Sequence, residues 1–231
     1  MLDRSVIAGL PPFEGLLPDD LDVVLGQARA ARYPRDTAIF EQGAPTASFF
    51  LLLDGHVRMM QVTPEGEQVT SRYINAGEMF GLGVAMGQDI YPTTAIAAVD
   101  CVVLIWPASI WPSLSQRLPS FATSVYHTIG NWLLETHSQM EQLVTAQVEQ
   151  RVAHALLRLI RQAGLKTGKG IEIDFPISRQ DIAEMTATTL HTVSRLMSMW
   201  EEKGIVTSGR QRVIIVDPHA LVLIAEQRSR K

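Results

Sequence analysis

His191, Ser194 and Arg195 recur at i, i+3 and i+4, so a helix through them sets all three on one face. An imidazole, a hydroxyl and a guanidinium in one strip are equipped to make hydrogen bonds, not to break covalent ones. No H-E-x-x-H, no G-x-S-x-G and no Walker loop occurs in the chain, so no catalytic constellation emerges and an enzyme is not expected. Such a strip can read edges. Arg195 can donate two parallel bonds to O6 and N7 of a guanine, worth about 1–3 kcal/mol for a good pair. Ser194 would contact a neighbouring base or phosphate. His191 would donate or accept as a neutral ring.

The segment that must position them is residues 177–204, ISRQDIAEMTATTLHTVSRLMSMWEEKG. It reads as two short helices joined by a tight turn. Ser178 N-caps the first, and Asp181 completes an S-x-x-D capping pattern. Ile182 and Met185 give that helix an apolar side. Ala187 and Thr188 are the break, and Thr189 caps the second helix. Val193, Leu196 and Trp200 fall at i, i+3 and i+7 and form its buried stripe. Leu190, His191, Ser194 and Arg195 lie opposite, and Gly204 is the stop after the helix. A helix-turn-helix lays such residues in the major groove of double-stranded DNA. Ile205 and Val206 begin a strand, Ser208-Gly209 signals a turn, and Arg212 to Val216 returns, which makes a wing. Arg210 and Arg212 would meet phosphate there. Arg179, Gln180 and Thr189 are further candidate phosphate contacts, which position rather than specify.

Composition sets outer limits. The chain's 231 residues, 46% of them hydrophobic, can bury one or two ordinary cores. A net charge of −4 excludes a chain that is basic overall, but positive charge can still gather on one face. The single cysteine, Cys101, cannot form an internal disulfide and sits in an apolar run, which suits a buried thiol and a cytoplasmic location. No apolar run reaches the roughly 18 residues that a membrane span requires, so no membrane association is expected.

Upstream, residues 1–30 look helical, with LPDDLDVVLGQARAAR as the clearest stretch. From Tyr33 the rhythm is short apolar or alternating runs punctuated by Gly43, Asp54-Gly55, Pro64-Glu65-Gly66 and Ala76-Gly77, the mark of an antiparallel sandwich or barrel. Beyond Pro112 the pattern turns helical. Phe121, Val125, Ile129, Trp132, Leu133, Met140, Leu143 and Val144 form a long apolar seam that a second copy of the chain would satisfy. Residues 150–162 read as a further helix with Val152, Leu156 and Ile160 inward, and AGLKTGKG as a Gly/Lys loop.

ISRQDIAEM and HTVSRLMSMWEEKGIV resemble the DNA-binding domain of the CRP/FNR family of bacterial transcription regulators. The resemblance covers nearly the whole chain. It implies an α+β fold: an N-terminal cyclic-nucleotide-binding-like β jelly roll as sensor (residues 1–117), a long dimerisation helix (118–146) and a C-terminal winged helix-turn-helix (147–231). It also implies a homodimer on a pseudo-palindromic site, with RNA polymerase as a partner. In the family's cyclic-nucleotide binders a G-E-L-G loop gives a glutamate to the ribose and an R-[ST]-A segment gives an arginine to the phosphate. Here Leu82 stands in FGLGVAMGQ for that glutamate, and Tyr91 or Pro92 in YPTTA for that arginine. Desolvating a phosphate without a cation is costly, so cAMP is not expected. One cysteine cannot hold the iron–sulfur cluster of the oxygen-sensing branch.

Haem remains a candidate cofactor, with His127 and His56 as candidate axial ligands; no other metal is expected. The H-x-x-S-R of the second helix resembles the nitric-oxide-responsive denitrification regulators (Nnr type), whose operators are close to TTG-N8-CAA. The alternative is a cyclic-nucleotide-responsive or ligand-independent regulator of the same fold. Ala187 departs from the family's turn, which usually has Gly, and a left-handed Ala costs about 1 kcal/mol.

Overall fold

The computed structural model describes residues 4–226. Two compact units divide the chain: residues 1–66 with 71–135, and residues 67–70 with 136–231. The division falls inside a helix, upstream of the sequence-based boundary at 146.

The sensor unit opens with two short 3₁₀ turns and helix α1 (Pro18–Gly26), which starts with Pro18 at its first position and Asp19 and Asp20 in its first turn. The helix ends there. Arg29–Tyr33 is strand β1, so the helical reading of the first thirty residues runs too far. Its pairing over all five of its residues with a later strand overrode a locally helical composition. Then follow β2 (Ala38–Phe40), β3 (Ser48–Asp54), β4 (His56–Val62), β5 (Gln68–Asn75), β6 (Met79–Phe80), β7 (Thr94–Ala97) and β8 (Cys101–Pro107). They form two antiparallel sheets in the orders β1-β8-β3-β6 and β2-β7-β4-β5. β3 and β8 carry consecutive buried residues because both faces are covered. Gly55, at φ +92°, makes the β3–β4 turn, and a Cβ there would sit 2.5 Å from the Asp100 carbonyl oxygen.

After α2 (Trp111–Arg117), helix α3 runs from Pro119 to Thr145. It carries two apolar stripes, not one seam. Phe121 and Val125 are fully buried in the sensor core with Phe13, Trp106 and Trp111, and Ile129 and Trp132 pack against that core. Phe121 and Val125, with no exposed surface to offer, therefore leave the proposed dimer interface. Tyr126, Gly130, Leu133, His137, Met140 and Val144 alternate in steps of four and three along another face. That face is open: Leu133 and Met140 are exposed and Val144 is 87% exposed. Leu143 is also exposed.

The second unit comprises α4 (Val148–Ala163), β9 (Gly164–Thr167), β10 (Gly170–Ile173), α5 (Arg179–Met185), α6 (Leu190–Glu202), β11 (Val206–Gly209), β12 (Arg212–Ile215) and α7 (Pro218–Glu226). Val152 and Leu156 of α4 are buried as the spacing predicts, while Leu159 rather than Ile160 completes the stripe. The Gly/Lys loop is instead a hairpin. β9 and β10 extend the wing into a four-stranded sheet, β11-β12-β10-β9. Among the described residues, no helix is long and apolar enough to cross a membrane.

Candidate nucleic-acid interface

The caps fall where the sequence places them. Ser178 Oγ accepts from the Asp181 amide at 3.1 Å, and Asp181 Oδ2 accepts from the Ser178 amide at 2.7 Å. This closes the reciprocal capping box at the start of α5. Thr189 Oγ1 accepts from the Thr192 amide at 3.2 Å and starts α6. Ala187 has φ +47° and Gly204 φ +69°, so both breaks sit in the left-handed region. Ile182, Val193, Leu196, Met197 and Trp200 are buried where the two helices pack. Trp200 Nε1 also donates to Glu149 Oε1 of α4 at 3.2 Å.

Leu190, His191 and Arg195 are exposed and Ser194 is half-buried, so the four candidate readers share the outward face of α6. Arg195 and Arg210 make no side-chain hydrogen bond or ion pair among the described residues. The first turn of α6 holds no acidic residue to compete for them. Arg210 lies at the wing tip between β11 and β12. The sequence signal placed that turn at Ser208-Gly209. The observed pairing of Gly209 with Arg212 moves it to Arg210 and Gln211, the latter at φ +58°.

Two of the expected phosphate contacts are engaged inside the unit. Arg212 donates from Nε to Glu172 Oε1 at 2.5 Å and from Nη2 to Glu172 Oε2 at 2.6 Å, a side-on fork across β12 and β10. This contact holds the Glu172 carboxyl below its ordinary range. Arg179 Nη2 donates to Ser208 Oγ at 2.8 Å and lies 3.6 Å from Glu201 Oε2. It ties α5 to α6 and to the wing. Both arginines stand beside a carboxylate from another element, which sequence spacing cannot reveal. Gln180 is exposed and donates to Glu184 Oε1 one turn on.

Sequence reasoning missed Arg151. Its guanidinium donates from Nε to the Thr186 carbonyl at 3.0 Å, from Nη2 to the Ala187 carbonyl at 3.3 Å and from Nη1 to the Ala146 carbonyl at 3.1 Å. One side chain thus holds the strained helix-turn-helix turn to the residue that follows α3. A signal existed: a cation in the first turn of a helix opposes the dipole and so calls for outside acceptors.

In the sensor, Leu82 is buried in the apolar core. Tyr91 is buried too. Its hydroxyl donates to the Ser48 carbonyl at 2.6 Å and accepts from the Ser48 amide at 3.0 Å. Its ring stacks on Phe40 with centroids 3.9 Å apart, and Phe40, Phe50 and Phe80 stack on one another at 5.0–6.1 Å. A Cβ on Gly81 would sit 2.7 Å from Phe50 Cδ2. Stacked rings thus line this side of the β domain's core. Among the described residues, no three His, Cys, Asp or Glu side chains group to hold a metal.

These observations define a class: a DNA-binding regulator with a cyclic-nucleotide-binding-like sensor. The Crp-like helix-turn-helix domain model matches residues 150–224 and the cyclic nucleotide-binding domain model matches residues 30–117. The chain is a transcription regulator of the CRP/FNR family. It is 29% identical over 217 residues to the cyclic AMP receptor protein of Thermus thermophilus, covering 94% of this chain and 97% of that one. It is 27% identical over 194 residues to the global nitrogen regulator of Synechococcus elongatus, covering 82% and 86%. FixK2 from Bradyrhizobium japonicum shares the fold with a TM-score of 0.76 at 22% identity, covering 87% of this chain and 99% of that structure.

Proposed function

We propose that this regulator acts in the cytoplasm as a homodimer on a pseudo-palindromic operator close to TTG-N8-CAA and recruits RNA polymerase to activate transcription. The observation that carries the reading is Arg195, exposed beside His191 on α6 and bonded to nothing else described. The open stripe from Tyr126 to Val144 is the face for the second copy. Two-fold symmetry would then present two α6 helices to two half-sites.

The response to nitric oxide, and control of denitrification genes, rest on the H-x-x-S-R of α6. Haem would supply the iron that takes the gas. His56 Nδ1 lies 3.1 Å from Asn75 Oδ1. If Nδ1–H donates there, the ring's lone pair sits on Nε2, the form that ligates iron. His127 is exposed on α3. Either imidazole would offer the iron one axial nitrogen.

Footprinting on a TTG-N8-CAA duplex tests the DNA reading: protection of both half-sites, abolished in Arg195→Ala, is expected. Protection that survives the substitution would overturn the readout. An anaerobic absorption spectrum with haem and then nitric oxide tests the cofactor. A Soret band that shifts with the gas and disappears in His56→Ala or His127→Ala supports haem, and association unchanged by both variants removes it.

A further inference from the structure

The wing carries a hydroxyl on its inward side. Val206 and Ser208 lie two residues apart on β11 and share one face, and their partners on β12, Ile215 and Val213, are buried. A hydroxyl on such a face is costly unless it is bonded. Glu201, near the end of α6, supplies the bond. Its Oε1 accepts from the Ser208 amide at 2.8 Å and from Ser208 Oγ at 2.5 Å. Ser208 Oγ in turn accepts from Arg179 of α5. At the wing tip the Gln211 carbonyl accepts from the Ile177 amide, just ahead of α5, at 3.2 Å.

The turn at the tip needs these ties. The two-residue hairpin turns that match strand twist have positive φ at their first central residue, alone or together with the second. Of Arg210 and Gln211, only Gln211 has positive φ. The hairpin therefore does not set its own direction, and contacts outside it must. Arg210 stands exposed between the two tied points.

We propose that Glu201 is the positioning residue of the wing. By accepting both bonds from Ser208 it fixes β11 against α6, and so delivers Arg210 to a phosphate beside the groove that α6 enters. Glu201 acts through Arg210, a residue to which it makes no bond. The two are then coupled in DNA binding, whereas distant residues without a shared partner act additively. The inference rests on the DNA reading under Proposed function.

The test uses the full-length protein and a TTG-N8-CAA duplex, with fluorescence anisotropy over a series of salt concentrations. Glu201→Ala weakens operator binding about tenfold and lowers the slope of log affinity against log salt by about 1 for each phosphate that Arg210 neutralises. In an Arg210→Ala background the same substitution changes affinity by less than about twofold. Glu201→Gln keeps an oxygen for both Ser208 donors and restores affinity and slope to within about twofold of the wild type. Discrimination against a duplex with the half-site guanines replaced is unchanged, because Arg195 is untouched. Thermal melting confirms that each variant is folded. Where Glu201→Ala is not, Ser208→Ala, which removes only the hydroxyl, takes its place with a smaller loss of the same kind. Additive losses from Glu201→Ala and Arg210→Ala overturn the proposal, as does a salt slope indifferent to Glu201→Ala or a Glu201→Gln variant as weak as Glu201→Ala. A wild type that leaves the duplex unbound overturns the DNA reading and this inference with it. A wild type that binds no better than Glu201→Ala overturns the inference alone.

Discussion

The two units treat a guanidinium in opposite ways. In the sensor, Arg72 is largely buried against Trp132 and Glu135, where burial acts against its charge. In the DNA-binding unit, Arg195 and Arg210 stay exposed on the faces that would meet DNA, while Arg151, Arg179 and Arg212 are bound to carbonyls, a hydroxyl and carboxylates. A hydrated cation can meet a base or a phosphate without first breaking an internal bond. A bonded one fixes structure instead. The cations in this fold are thus sorted by their neighbours, not by their residue type.

The largest effect expected from that sorting is at Arg195. Arg195→Ala should cost about 1–3 kcal/mol of operator affinity per half-site, with unfolding unchanged, by fluorescence anisotropy and thermal melting. An equal drop in stability would place Arg195 among the structural arginines. Arg151→Gln should do the reverse in kind. It should lower the stability of the DNA-binding unit by about 2 kcal/mol, because three hydrogen bonds to carbonyls are weakened or removed, and weaken DNA binding as the turn loosens. Urea titration followed at Trp200 reads it, and an unchanged midpoint would show that the clamp is idle.

Ala187→Gly should stabilise by up to about 1 kcal/mol, because glycine takes φ +47° without strain. A destabilised variant would mean that the entropy of the unfolded glycine outweighs the relief. The wing gives a finer contrast. Arg210→Ala should reduce the slope of log affinity against log salt by about 1 for each phosphate that Arg210 neutralises, while Arg212→Ala should leave the slope alone. Equal slopes in the two variants would erase the distinction between open and engaged cations.

The smallest effect is at His154 of α4. Burial lowers its pKa, opposed by a bond to the Ala225 carbonyl. The folded state therefore binds its proton less readily than the unfolded state. Stability is present above the unfolded pKa of about 6.5 and declines as pH falls below it. A His154→Gln variant should show a flatter stability profile between about pH 7 and 5 in chemical denaturation. A profile as steep as the wild type's would assign the dependence to other groups.

Much of the DNA-reading element was legible before the structure. Ser178, Asp181, Thr189 and Gly204 act within three or four residues of themselves, so capping and termination need only local sequence. The 3.6-residue period sorted Val193, Leu196 and Trp200 from His191, Ser194 and Arg195 for the same reason. The strand rhythm from Tyr33 to Pro107 likewise follows from alternation and turn glycines. The helix-to-strand boundary near Arg29 did not, because β1 exists only by pairing with β8, far along the chain.

Sequence alone settled which residues share a face; tertiary structure decided what each face meets. The apolar residues of α3 read as one seam, yet packing divided them: Phe121 and Val125 went to the sensor core, and Leu133, Met140 and Val144 to the open side. Arg179 and Arg212 looked like Arg195 and Arg210 until Glu201 and Glu172 came beside them from other elements. Arg151 became a clamp only when the turn at Thr186 and Ala187 folded back to it. Periodicity is a property of the local chain, whereas a charge partner or a packing surface is set by long-range contacts that no spacing encodes.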